Sequence, residues 1–200
     1  MAHAQRTGTM ADHFTYGLYL TWDDGERWEL IDGEAYAMSP APSRTHQRIL
    51  FELGRQIGNH LKDKPCQAFA APFDVRLPDY PEQAEDEIPT VVQPDLVVIC
   101  DRTKLDEKGC RGAPDLVVEI LSPGSAQRDL RDKFNLYQRH GVREYWVVQP
   151  VDRTVMLFRL REDGKFGSHE LYAATEQLPV PILGELIVEL RDIFADKADQ

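Results

Sequence analysis

The amino-acid sequence predicts an α+β fold with an α/β-like core: a mixed central β-sheet flanked by helices, with an added N-terminal β-hairpin. Three observations predict it. Residues 93–100 and 113–121 are short apolar runs rich in Val and Ile, each with a Pro near its start, the composition of buried strands. Residues 43–61 and 125–140 carry apolar side chains at helical spacing. Asp32-Gly33 joins two alternating segments, 27–31 and 35–39, which is a hairpin signal. A chain of 200 residues suits one domain with a sizeable core. That domain is expected over 14–195, with a disordered N-terminus at 1–13 and a tail at 196–200.

Taken in order, residues 15–22 suggest a short helix, followed by the hairpin and a turn at Ser39-Pro40-Ala41-Pro42. The helix at 43–61 has an inward stripe of Ile49, Leu50, Leu53, Ile57 and Leu61, with His46 in line and Glu52 outside it. Residues 67–77 read as a strand region broken at Pro72, and the acidic, Pro-rich stretch 79–90 as a protruding loop. The central unit follows: strand 93–100, a polar loop, strand 113–121, a helix at 125–140 and strand 142–148. The helix has a Leu130, Phe134 and Tyr137 stripe and stops at Gly141. Residues 154–161 should pair back on 142–148, 168–172 form a short strand, and 177–194 close the fold with a short helix.

Composition sets limits on function. Hydrophobic and charged contents of 42% and 28% are ordinary for a globular chain. No run approaches the ~20 apolar residues of a membrane span, and the N-terminus has no apolar signal region. Cys66, Cys100 and Cys110 suggest neither a disulfide framework nor a zinc site, and a reducing cytoplasm is the natural setting. The net charge of −11 weighs against nucleic-acid binding. Yet Arg44, Arg48 and Arg55 share one expected helix, and Arg128, Arg131, Lys133 and Arg139 another. They form either a basic face or ordinary solvated helix charges.

The chemistry lies in the acids. If 93–100 and 113–121 pair as an antiparallel hairpin, Asp95 lies beside residues 119–121, within about 5 Å. Asp115 falls roughly 13 Å further along, at ~3.3 Å per residue. Asp95 and Glu119 can therefore share a cation, and two carboxylates with room for water suit Mg²⁺. Such an ion can activate a water and stabilise a phosphodiester in transition. Lys133, one helical turn after Asp129, flanks the apolar stripe and can reach the acids. The competing structural readings are a turn-capping Asp95 and a Glu119 paired with an Arg such as Arg128. Glu29, within the hairpin, reads as structural or surface-facing. His46 is a candidate for positioning substrate or water, or else a hydrogen-bonded core histidine.

These residues carry a resemblance. PDLVV at 94–98, PDLVVEILSPGS at 114–125, Asp129 with Lys133 and Tyr137, GVREYWVVQP at 141–150 and WELIDGEAYAMSPAPSRTH at 28–46 are similar to the Uma-two family of restriction-endonuclease-like proteins, within the PD-(D/E)XK nuclease superfamily. The resemblance spans most of 15–195. It implies a restriction-endonuclease-like core and a Mg²⁺-dependent endonuclease acting on DNA, with Mn²⁺ as a possible substitute. Asp95 matches the first acid of the motif and Glu119 the second. Leu121 stands where the motif has Lys, a role the superfamily can move to the next helix, where Lys133 fits. Gln149 stands where the related pattern often has Asp. The expected catalytic residues are Asp95, Glu119, Lys133 and His46, with Asp95 and Glu119 as metal ligands. A non-catalytic protein-interaction module on the same scaffold is the alternative. A homodimer is expected from the resemblance and from apolar segments near both termini, Tyr16 to Trp22 and Leu186 to Phe194.

Overall fold

Two apolar faces on one sheet set the architecture, and the chain supplies a cover for each. The computed structural model describes residues 13–38, 41–124 and 126–195. The first half holds α1 (Tyr16–Tyr19), β1 (Trp28–Ile31), β2 (Glu34–Ala37), α2 (Arg44–Leu61), β3 (Gln67–Ala70), β4 (Val75–Arg76), β5 (Val91–Val92) and β6 (Leu96–Ile99). Next come β7 (Leu105–Asp106), β8 (Gly109–Arg111), β9 (Leu116–Ile120), a π-helical segment (Arg128–Lys133) and α3 (Phe134–His140). The chain closes with β10 (Glu144–Gln149), β11 (Thr154–Arg159), β12 (Glu170–Ala173), β13 (Gln177–Val180), β14 (Leu186–Glu189) and α4 (Leu190–Phe194).

The central sheet has the order β12-β11-β10-β9-β6-β3. Its pairs are antiparallel except β9 with β10, which run parallel and are joined through α3. This is the mixed sheet that the sequence predicts. Alternation along the strands then sorts the side chains. Leu96, Val98, Leu116 and Val118 pack against Ile49, Leu53 and Ile57 of α2. Val97, Val117 and Val147 face the other way, onto Leu136 and Tyr137 of α3 and Val75, Leu77 and Val92.

The N-terminal hairpin forms as read, with Asp32 and Gly33 at φ of 52° and 79°, the positive values its two-residue turn needs. It does not stand alone. β1 pairs with β5, giving a second six-stranded sheet, β2-β1-β5-β4-β8-β7. Periodicity could not reveal this sheet, because β4, β5 and β7 are two residues long.

Four expectations need correction. The stretch 79–90 does not protrude as a whole: Ile88 and Thr90 are buried, and the carbonyls of Ile88 and Pro89 accept from Tyr16 N and Gly33 N at 2.8 Å each. Its backbone satisfies donors that α1 and the hairpin turn leave open. Leu130 is 42% exposed and Leu136 is buried instead. The segment before α3 is π-helical, so each residue there turns less than in an α-helix and the stripe changes phase. Cys66 and Cys100 form a disulfide, because pairing of Gln67 with Ile99 sets them opposite each other; the case for a reducing setting loses its basis. Finally, Tyr16, Leu186, Val188, Leu190, Ile193 and Phe194 are buried within the chain, so they provide no surface for a second copy; Leu18 and Leu20 do stay exposed.

The expected N-terminal segment 1–13, apart from His13, and the tail 196–200 lie outside the described residues, as do Ser39, Pro40 and Ser125. No helix among the described residues is long and apolar enough to cross a membrane.

Candidate active site

Strand register brings Asp95 and Glu119 together. Leu96 lies opposite Val118 and Val97 opposite Val117. One step further, Asp95 falls opposite Glu119, where facing Cβ atoms stand on the order of 5 Å apart. Asp95 Oδ2 accepts from Ile120 N at 2.7 Å and lies 3.2 Å from His46 Nε2. His46 arrives from the first turn of α2, whose start is set by Ser43: its Oγ accepts from His46 N at 3.2 Å. Asp115 accepts from Cys100 N at 2.8 Å and meets Arg143, well away from the pair. Glu52 is held by Arg55 and Gln56 and takes no part.

Lys133 closes the site from the π-helical segment. The wider turn points both Asp129 and Lys133 inward, and both are buried. Lys133 Nζ donates to Glu119 Oε1 at 2.9 Å and to Glu29 Oε1 at 2.8 Å, with Asp129 Oδ1 at 3.8 Å. Tyr137, from the first turns of α3, also donates to Glu119 Oε1, at 2.8 Å. The reach of Lys133 to the acids is as the helical spacing predicts.

Glu29 is the residue that sequence reasoning missed. It is 2% exposed and accepts from Gln93 N at 2.9 Å, beside its bond to Lys133. The signal was present: an acid inside the apolar run Trp28–Ile31 is the same feature that picks out Glu119 in Leu116–Ile120. A buried acid alone does not make a site, however. Glu144 is fully buried too, but it is satisfied by Arg159 at 3.0 Å and Trp146 Nε1 at 3.1 Å.

The electrostatics are lopsided. Glu29, Asp95, Glu119 and Asp129 meet two cations, Lys133 and Arg128, the latter 3.8 Å from Glu29. Burial pushes the Glu119 carboxyl well above its usual range; Lys133 opposes this, while Asp129, Asp95 and Glu29 add to it. Burial also works against the Glu29 carboxylate, but Lys133, Gln93 N and Arg128 outweigh it and hold its pKa low. The two acids share one lysine yet shift in opposite directions. Of these two acids, Glu119 is the one that more readily takes up a proton. Burial disfavours the Lys133 ammonium, but Glu119, Glu29 and Asp129 more than offset that and raise its pKa.

These groups form the floor of a cleft of about 920 Å³ with apolar walls that include Met38, Leu50, Pro72, Leu121 and Val151. Among the described residues, no three or more His, Cys, Asp or Glu side chains are grouped to hold one metal ion. The donor set is smaller. Asp95 Oδ1 and Glu119 Oε2 accept no hydrogen bond among the described residues, whereas their partner oxygens are occupied. Two carboxylates lining one cleft, each with an oxygen to spare, fit Mg²⁺, which commonly takes one or two carboxylates and completes its shell with water and phosphate oxygen.

Comparison with known proteins agrees with this fold. An uncharacterized protein of Synechocystis sp. is 27% identical over 169 residues, covering 83% of this chain and 84% of that protein. A solved structure from Anabaena variabilis, described as a putative nuclease belonging to DUF820, superposes with a TM-score of 0.71 at 23% identity, covering 90% of this chain and 97% of that one. Residues 17–191 match the family Uma2, described as "Putative restriction endonuclease", and with nearly the whole described chain inside that match the protein belongs to this family.

Proposed function

We propose that the protein is a metal-dependent endonuclease that hydrolyses phosphodiester bonds of DNA at the Asp95–Glu119 cleft. The observation that carries this reading is the surplus of carboxylate on a buried floor, with one oxygen of Asp95 and one of Glu119 left unbonded among the described residues. Buried negative charge of this kind calls for a proton or a cation. Asp95 Oδ1 and Glu119 Oε2 would hold Mg²⁺, with Mn²⁺ as a substitute. When bound, the ion supplies a more acidic water and offsets phosphate charge.

The surrounding residues have separable roles in this reading. Lys133 stays protonated, so it is a donor and not a base. An ammonium has three N–H groups. Two are committed to Glu29 and Glu119, which leaves one to orient a water or meet a phosphate oxygen. Its charge stabilises what develops on the attacked phosphate. Glu29 and Tyr137 fix Lys133 and Glu119 in place. His46 and Ile120 N hold Asp95 Oδ2, which leaves Oδ1 for the ion, and the His46 Nδ1 has no partner among the described residues. In a homodimer, the arrangement the family resemblance suggests, each copy would present one cleft to one strand. The contact would lie outside the buried terminal segments. Light scattering at micromolar concentration tests it: a mass that stays at 22.9 kDa with added metal removes the dimer.

The test of activity is cleavage of supercoiled and linear DNA with Mg²⁺ or Mn²⁺ by the parent, Asp95→Ala, Glu119→Ala and Lys133→Ala. Activity in the parent and its loss in all three variants is expected. Equal residual cleavage in all four proteins would sink the proposal. Absence of millimolar Mg²⁺ or Mn²⁺ binding by calorimetry would turn the reading towards a non-catalytic interaction module.

A further inference from the structure

The reactive groups lie deep. Glu29 is 2%, Lys133 4% and Glu119 5% exposed, Asp95 is part-buried with 19% of its side chain exposed, and Val151 at the cleft lip is 92% exposed. A phosphate within a stacked, stiff duplex reaches such a floor only where the duplex is bent or opened, at a cost in deformation energy. A flexible single strand reaches it without that cost.

The charges point the same way. Most of the arginines that could have made a duplex footprint are spent on neighbours, with Arg44 an exposed exception. Arg55 faces Glu52, Arg131 faces Asp132, Arg139 faces Asp32 and Arg143 faces Asp115. Arg48 and Arg153 turn onto the carbonyls of Ile193 and Phe194. Duplex binders neutralise many phosphates at once, and this surface, in a chain of net charge −11, has little left to do so.

Within the cleft two arginines differ. Arg27 donates to the neutral Gln93 amide at 3.1 Å and has no carboxylate at ion-pair distance among the described residues. Arg128 lies over the Tyr36 ring, 4.7 Å from its centre, and its ion pair with Glu29 is a long one, at 3.8 Å, with no hydrogen bond between them. Both line the same cleft as Asp95 and Glu119. Met38, Leu50, Pro72, Leu121 and Val151 offer apolar cover for sugar and base faces, which a duplex keeps stacked inside. Among the described residues the lining holds no Phe, Tyr or Trp, and the one imidazole, His46, is bound to Asp95, so base stacking adds little and affinity is modest.

We infer that the cleft takes a single DNA strand rather than an intact duplex, with Arg27 and Arg128 as its phosphate contacts. The inference rests on the nuclease reading of the same site and names its substrate class.

The test uses one labelled sequence as a single strand and as a blunt duplex, with binding read by fluorescence anisotropy in Ca²⁺. The single strand is expected to bind at least about tenfold more tightly than the duplex. With two phosphate contacts at ~0.7 per contact, the salt slope is about −1.4, or roughly sevenfold weaker binding between about 50 and 200 mM salt. Arg27→Gln and Arg128→Gln should each weaken single-strand binding by about three- to tenfold and flatten that slope by ~0.7. Arg55→Gln should change nothing. Circular dichroism confirms that each variant is folded. Duplex binding equal to or tighter than single-strand binding, no binding to either, or unaltered binding in Arg27→Gln and Arg128→Gln overturns the inference. A cleavage arm with Mn²⁺ separates it from the broader reading. Duplex cut faster than single strand, with loss in Glu119→Gln, leaves a nuclease but refutes the strand preference. Selective single-strand binding without any cleavage keeps the preference and refutes the nuclease.

Discussion

Replacing Lys133 by Met keeps much of the side chain's length and removes its charge. The structure sets the size of the effect. Lys133 is 4% exposed and makes bonds of 2.8 Å and 2.9 Å to Glu29 and Glu119. Each hydrogen bond to a charged group is worth about 1.5–3 kcal/mol, and the cost of Lys133 desolvation is recovered on substitution. The net loss should match that of breaking a buried ion pair, about 3–5 kcal/mol near pH 7. The sign with pH follows from the shifts. The pKa of Glu29 is lowered, so its contribution is present above its unfolded value of 4.5 and is lost as pH falls through the folded one. That of Lys133 is raised, so its contribution is complete below 10.5 and fades only as pH rises through the folded value. Lys133→Met should thus lose most stability between these limits. Its deficit should shrink between pH 7 and a pH well below 4.5, as pH falls through the lowered folded value of Glu29 and its protonated carboxyl no longer needs the ammonium. Urea unfolding of both proteins at the two pH values measures this. A deficit under about 1 kcal/mol at neutral pH, or one that does not change with pH, would refute the account of the site's electrostatics.

Further outcomes follow from other contacts. Glu119 has a raised pKa and a proton competes with metal for its Oε2, so Mn²⁺ affinity should rise with pH and binding should release a proton, seen by calorimetry in buffers of different ionisation enthalpy; pH-independent binding counts against a Glu119 ligand. His46→Ala should reduce cleavage by about 10- to 100-fold with little change in the melting temperature, since it removes the partner of a ligand rather than the ligand. Leu130→Gln should leave stability within about 0.5 kcal/mol, because Leu130 is exposed. Leu136→Ala should cost about 2–5 kcal/mol; the reverse pattern in denaturant melts would restore the continuous α-helical phase.

The parts legible in the sequence are those governed by one period or one register. Apolar spacing located α2, β6, β9 and β10, and the hairpin register alone put Asp95 beside Glu119 and kept Asp115 apart. The placement of Lys133 was legible too, since four residues bring it under Asp129 in either kind of turn. What stayed hidden depends on long-range pairing. Glu29 reaches Lys133 only because β1 pairs with β5, a strand of two residues. The Cys66–Cys100 bond depends on the pairing of β3 with β6. The π-helical segment has no compositional mark, so the exposure of Leu130 could not be read in advance.

The connector between the two acid-bearing strands leaves the central sheet and enters the other one. β8 pairs with β4 and β7, while β6 and β9 stay paired behind it. Its length is therefore not slack. An inserted or deleted residue within 109–111 either breaks the β4–β8 pairing or slides β9 along β6. A slide of one residue turns Glu119 to the α2 face and brings Val118 or Ile120 into the cleft. Changes in this connector would act on the acid pair as a frameshift acts on a codon: the loss is complete at the first step and is undone only by a compensating change of the same size.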